Sequence, residues 1–123
     1  MNTDSLEFLR KMVCKFRDER NWRKYHKPKN LAISIAIEAA ELLELFQWLS
    51  DDEIDKLVSS PKFISEISME MADILMYLLS LADILGIDLG DSVIRKLGIN
   101  EKKYPVEETK SDKIKERLLE EYK

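Results

Sequence analysis

Two stretches of this chain, LAISIAIEAAELLELF (31–46) and EISMEMADILMYLLSLADIL (66–85), carry apolar residues around most of the circumference a helix would present. In a small bundle each helix buries one stripe and leaves another near water, whereas a helix apolar all round needs cover on every side. That requirement governs what the chain can become. It points to an all-α fold, an antiparallel helix bundle of about four to five helices, completed by oligomerisation. A homo-oligomer, dimer or tetramer, is the expected state. Three Gly and three Pro in 123 residues leave few turn residues, which suits long helices and short connections rather than a sheet.

Boundary signals divide the chain further. Leu6, Leu9, Met12, Val13 and Phe16 recur at helical spacing and predict a first helix from about Thr3 to about Asn21. Pro28 pushes Lys27 toward an extended conformation, and Asn30 is expected to cap a second helix reaching about Leu49. Ser50-Asp51-Asp52-Glu53 has the spacing of a capping box, so a short helix should start there and end near Ser59. Ser60-Pro61 suits the cap and first position of the next helix, which Gly86 should stop after Leu85. Asp88 can cap a fifth helix that ends before Pro105. Residues 1–105 read as one domain, and 106–123 as a charged tail with a loosely held final helix.

Charge and cysteine content exclude several functions. The net charge is −4, and the one basic cluster, RNWRKYHKPK (20–29), is short and interrupted by aromatics, so no nucleic-acid partner is expected. Cys14 is the only cysteine, which rules out an intramolecular disulfide or a Cys-rich zinc site and suits a reduced, cytoplasmic compartment. The N-terminal MNTDSLEFLRK has no apolar core of a signal peptide. The longest apolar run, MADILMYLLSLADILGI, has 17 residues and contains Asp73 and Asp83. Central aspartates are costly in a bilayer, so no membrane partner is expected.

Both apolar helices carry carboxylate pairs three residues apart: Glu38 and Glu41 in the first, Glu70 and Asp73 in the second. Residues at i and i+3 project from one side of a helix, about 60° apart. Solvated positions would explain the pairs if their flanks were polar, but the flanks are Ala, Leu, Ile and Met. With the two helices antiparallel and adjacent, the pairs could face each other. Four converging carboxylates would either take up protons or hold a cation. All-oxygen ligands suit Mg2+, Mn2+ or Ca2+ rather than zinc or copper. Di-iron bundles want Glu-x-x-His, and the only histidine, His26, lies outside both helices.

Aromatic residues accompany the acids. Tyr77 falls one turn beyond Asp73, and Trp48, about two turns after Glu41, should return to the same side of a continuing helix. Trp22 and His26 sit just before the second helix begins. Such rings suit a flat heterocycle carried on a charged phosphate tail, although core packing is the commoner role for an isolated Trp. Val13 and its neighbours on the first helix could line the same pocket.

The motifs FRDERNW (16–22), H-x-P-x-N-L (26–31), EAAE (38–41) within ELLELFQW-terminated residues 38–48, EMADILMYLL (70–79) and GINEKKYP (98–105) together resemble the MazG-like superfamily of all-α nucleoside triphosphate pyrophosphohydrolases. The likeness is to its dCTP pyrophosphatase branch and runs from about Phe8 to Pro105. It implies hydrolysis between the α and β phosphates, releasing a nucleoside monophosphate and pyrophosphate, in nucleotide-pool housecleaning. It implies Mg2+, with Mn2+ as a substitute, on Glu38, Glu41, Glu70 and Asp73. Trp22 and Trp48 would enclose the base, with His26 and Tyr77 in the pocket wall. Asn100, Lys103 and Tyr104 resemble the family's phosphate-contacting segment. Glu38 or Glu41 could also accept the proton of an attacking water. The competing expectation is a non-catalytic helical oligomeric interaction module, which would explain the apolar helices but not the acids embedded in them.

Overall fold

Every regular element among residues 5–107 and 113–123, the part of the chain that the computed structural model describes, is helical. The main elements are α1 (Leu6–Glu19), a 3-10 turn (Arg23–Tyr25), α2 (Pro28–Glu44), α3 (Asp51–Leu57), α4 (Pro61–Leu85), α5 (Leu89–Lys103) and α6 (Lys113–Glu121). The fold is all-α, as the apolar periodicity requires.

Caps explain where most of these helices start. Ser5 accepts a hydrogen bond from the Phe8 N–H at 3.0 Å, Ser60 from the Phe63 N–H at 3.3 Å, and Asp88 from the Asp91 N–H at 3.0 Å. At α3 the capping box is complete: Ser50 Oγ accepts from the Glu53 N–H, and the Glu53 carboxylate accepts from the Ser50 N–H. Gly86 closes α4 with φ 67°, and the Ile87 N–H reaches back to the Ala82 carbonyl at 2.8 Å. A Cβ on Gly86 would meet nothing within 4 Å, so Gly86→Ala pays only for left-handed backbone. Its expected cost is about 1 kcal/mol, read as a lower denaturant midpoint at unchanged slope.

Three sequence-based boundaries shift. The first helix starts at Leu6, with Thr3 outside the described residues, and ends at Glu19 because Asn21 turns left-handed at φ 57°. The second does not begin behind an Asn30 cap. Pro28 takes its first position, Lys27 is the extended residue before it, and Asn30 lies inside the helix. The pre-organised φ of proline outweighs a side-chain cap there. That helix ends at Glu44 rather than Leu49. The chain then tightens into i→i+3 turns, with Phe46 N–H on the Leu43 carbonyl at 2.9 Å and Leu49 N–H on the Phe46 carbonyl at 3.0 Å. The apolar pattern runs on through these turns, so nothing in it marks the end.

The chain divides into two compact units, one ending at Ile87 and one beginning at Asp88. In the first, α4 packs against both α2 and α1. Three contacts fix α2 and α4 as antiparallel. Pro28 and Ile84 line one recess, Glu38 and Glu70 approach midway, and the Phe46 and Phe63 rings meet edge-on at 5.7 Å. Asp83 joins α1 to α4: Arg10 Nη1 donates to it at 2.6 Å and Arg17 Nη1 at 3.0 Å. In the second unit Arg117 donates to the Lys103 carbonyl at 3.0 Å.

Fully buried apolar side chains are few: Cys14, Leu31, Leu79 and Ala82 among the described residues. Ile33, Ile37 and Leu43 on α2, with Met69 and Met71 on α4, remain about half exposed. Among the described residues, these faces of the two helices stay uncovered.

Candidate active site

The antiparallel pairing of α2 and α4 brings carboxylates together where the two helices cross midway. Glu38, Glu41 and Glu70 each offer an oxygen, and these atoms lie within 4.8 Å of one another. Glu38 Oε2 and Glu70 Oε2 are buried and have no hydrogen-bond partner. An unpaired buried carboxylate oxygen is costly. Burial, then the nearby Glu41, Glu70 and Asp73 carboxylates, push the Glu38 carboxyl up to about 7. Burial and the same neighbouring acids also raise Glu70, although its contact with Glu38 acts the other way. The donor set is all oxygen, crowded and short of protons or partners, and it fits a hard divalent cation.

Glu38 also borders a cavity of about 290 Å³. Asp73 lines this cavity with Glu38 and stands outside the three-oxygen cluster. Three aromatic rings stand in the walls: Phe16 from α1, Trp22 from the turn after it, and Tyr77 from α4. Phe16 and Trp22 meet edge-on at 5.7 Å, and the Arg20 guanidinium sits 3.6 Å over the Phe16 ring. Val13 and Met76 complete the apolar lining, while Arg17, His26 and Ser80 supply polar groups. Burial first, and then the charge of Arg17, hold the His26 imidazole below its ordinary pKa. Its Nδ1 is buried without a partner.

Of the residues singled out in the sequence, Glu38, Asp73, Trp22, His26 and Tyr77 thus share one cavity. Glu41 and Glu70 adjoin it through Glu38. Trp48 does not line it. It is 84% exposed, and the helix expected to carry it stops at Glu44. Asn100, Lys103 and Tyr104 belong to the second unit. There the Asn100 carbonyl accepts from the Tyr104 N–H at 2.8 Å, and Lys103 Nζ lies 5.3 Å from the Tyr104 ring centre. Arg17 and Ser80, each 2% exposed, were not singled out as site residues. The available signal was Asp83, a carboxylate in an apolar run that needs a cationic partner.

An acidic cluster opening on an aromatic cavity, carried by an all-α unit, defines a helical protein built to present a charged group beside a flat one. Comparison with known proteins is consistent with that class. The family model of the MazG-like family matches residues 33–117, and the chain belongs to this family. It is 39% identical over 102 residues to dCTP pyrophosphatase 1 of Mus musculus, covering 83% of this chain and 60% of that protein. It is 36% identical over 111 residues to dCTP pyrophosphatase 1 of Homo sapiens, covering 90% and 65%. The chain thus spans less than two thirds of the length of these curated relatives. A crystal structure of a pyrophosphatase from Archaeoglobus fulgidus has a TM-score of 0.74 and 50% identity, covering 80% of this chain and 91% of that one. No helix among the described residues is long and apolar enough to cross a membrane.

Proposed function

We propose that this chain is a nucleoside triphosphate pyrophosphohydrolase, dependent on Mg2+ or Mn2+, that releases a nucleoside monophosphate and pyrophosphate. The observation that carries the proposal is the pair of buried, unpartnered carboxylate oxygens on Glu38 and Glu70, clustered with Glu41 at the edge of an aromatic cavity. Glu38, Glu41 and Glu70 would hold the cation, with Asp73 as the fourth acid. When bound, the cation supplies Lewis-acid polarisation of a phosphoryl oxygen and a lowered pKa for an attacking water.

The chain's own residues do the rest. Trp22 and Tyr77 take the base between ring faces. The cavity walls exclude water from one side of the reacting phosphate. Glu38 or Glu41, whichever keeps a free oxygen, accepts a proton from the attacking water. Asn100, Lys103 and Tyr104 are assigned to the phosphates by family resemblance alone. Trp48 would join the base enclosure from a neighbouring copy, since it does not line the cavity of its own chain.

The test is a panel of deoxy- and ribonucleoside triphosphates with Mg2+, analysed for products. Monophosphate and pyrophosphate are expected, with no turnover in excess chelator. Inorganic phosphate as the primary product would instead mean cleavage at a terminal phosphate. Absence of any nucleotide product would favour the interaction module. Titrating the nucleotide-free protein with Mg2+ should raise its melting temperature through binding linkage.

A homo-oligomer, dimer or tetramer, accompanies this proposal, because the half-exposed faces of α2 and α4 need cover. Light scattering at micromolar concentration should give at least twice the 14.4 kDa chain mass; a monomer mass would refute it. The proposed compartment is the cytoplasm, which suits a single free cysteine, Cys14.

A further inference from the structure

We propose that Arg17 determines base specificity, as a pinned guanidinium that reads the acceptor edge of the nucleobase; this rests on the pyrophosphohydrolase function proposed above. Arg17 is 2% exposed, yet it lines the 290 Å³ cavity. Burying a charge that deeply is costly, and a purely structural tie between α1 and α4 does not require it. Arg10 already makes that tie, at 2.6 Å to Asp83 from a position 29% exposed.

Arg17 is held from two sides. Its Nε donates to Asp18 at 2.9 Å, and its Nη1 donates to Asp83 at 3.0 Å. A guanidinium carries five N–H donors and no acceptor, so these two bonds leave donors for a ligand in a fixed plane. The other polar groups on the lining residues, apart from the acids, are the Ser80 hydroxyl, His26, whose Nδ1 is buried without a partner, and the polar ends of the two rings, the Tyr77 hydroxyl and the Trp22 indole N–H. Stacking on Trp22 and Tyr77 accepts any base, so discrimination falls to these polar groups.

A donor-only fork fits an edge with two adjacent acceptors. Cytosine offers O2 beside N3, and guanine offers O6 beside N7. On its Watson–Crick and Hoogsteen edges adenine sets its N6 amino group beside N1 and N7, and thymine sets N3–H beside O2 and O4, which leaves an N–H of Arg17 facing another N–H. The expected preference is therefore dCTP and dGTP over dATP and dTTP, by about tenfold to a hundredfold in kcat/KM.

The experiment compares kcat/KM for these four substrates in the wild type, in Arg17→Lys, and in the double variant Arg17→Gln with Asp83→Asn. The double variant removes both charges together and so strands neither. The discrimination ratio is expected to fall to within about threefold in the double variant, with the loss concentrated on dCTP and dGTP. Arg17→Lys keeps the charge but loses the planar fork, and should lower the ratio as well; it decides the matter if the double variant does not fold by circular dichroism. A merely structural arginine would depress all four substrates by one factor. An unchanged ratio in the folded variants, or a wild type with no preference between the two pairs, overturns the proposal. Pyrophosphate released from none of the four substrates would overturn the underlying function instead, a result distinct from a flat ratio.

Discussion

Replacing Glu38 by Gln should lower turnover by about 10²–10⁴-fold while making the metal-free protein more resistant to heat. Glu38 is the one acid that both belongs to the three-oxygen cluster and lines the cavity. Glutamine keeps its shape but removes an anionic ligand and any capacity to take a proton. In the absence of a cation the same change relieves crowding. The wild-type carboxyl is raised from 4.5 to about 7, first by burial and then by its acidic neighbours. It therefore binds its proton more tightly folded than unfolded, and the metal-free fold loses stability as pH rises from 4.5 toward 7. The variant should lack that loss and melt about 2–5 °C higher at neutral pH. Melting curves across this range with and without Mg2+, beside a pyrophosphate-release assay, measure both effects. Wild-type turnover in the variant would remove Glu38 from the chemistry.

Asp83→Ala should have the largest effect on folding. Asp83 faces Arg17 at 3.0 Å, Arg10 at 2.6 Å and Arg23 at 3.7 Å, and it also neighbours the Cys14 thiol. Removing it leaves Arg17 buried with only Asp18 beside it. Breaking a buried pair in this way costs about 3–5 kcal/mol, a large share of a domain's usual margin. Loss of helical signal at room temperature, or a denaturant midpoint shifted by that amount, is the expected outcome.

The pH dependence of Asp83 runs opposite to that of Glu38. Burial alone would raise its carboxyl, but the hydrogen bonds from Arg17 and Cys14 and the charges of Arg17 and Arg10 prevail and hold it below the ordinary 3.8. Its contribution is complete above 3.8 and is lost as pH falls through the lower folded value. The two groups thus tilt the stability curve of the metal-free protein in opposite senses, Asp83 on the acid side and Glu38 on the alkaline side. Divalent cation should flatten only the alkaline side of that curve.

Much of this architecture was legible in the chain because the signals are local. Ser50 with Glu53, Ser60 with Pro61, Asp88 and Gly86 each act within four residues, and each stands where its type predicts. The same reasoning failed at Asn30, where two starting signals lay close together and Pro28 took precedence. It failed again after Glu44, because tight turns carry the same apolar spacing as a helix. Trp48 lies beyond that end and does not line the cavity. The meeting of Glu38 with Glu70 followed from pairing two recognisable helices. The partnership of Arg17 with Asp83 did not, since it spans 66 positions and the pattern does not say which basic residue of the first helix, Arg10 or Arg17, is buried against that carboxylate.

The origin of each cavity wall has a consequence for how such a chain can change. The acids stand on α2 and α4, whereas Val13, Phe16 and Arg17 come from α1 and Trp22 from the turn that follows it. Part of the cavity wall can thus vary apart from the acids, while Tyr77 and Ser80 share α4 with Glu70 and Asp73. Under the proposed function, substitutions in one short N-terminal segment would alter the cavity wall while leaving Glu38, Glu41, Glu70 and Asp73 in place.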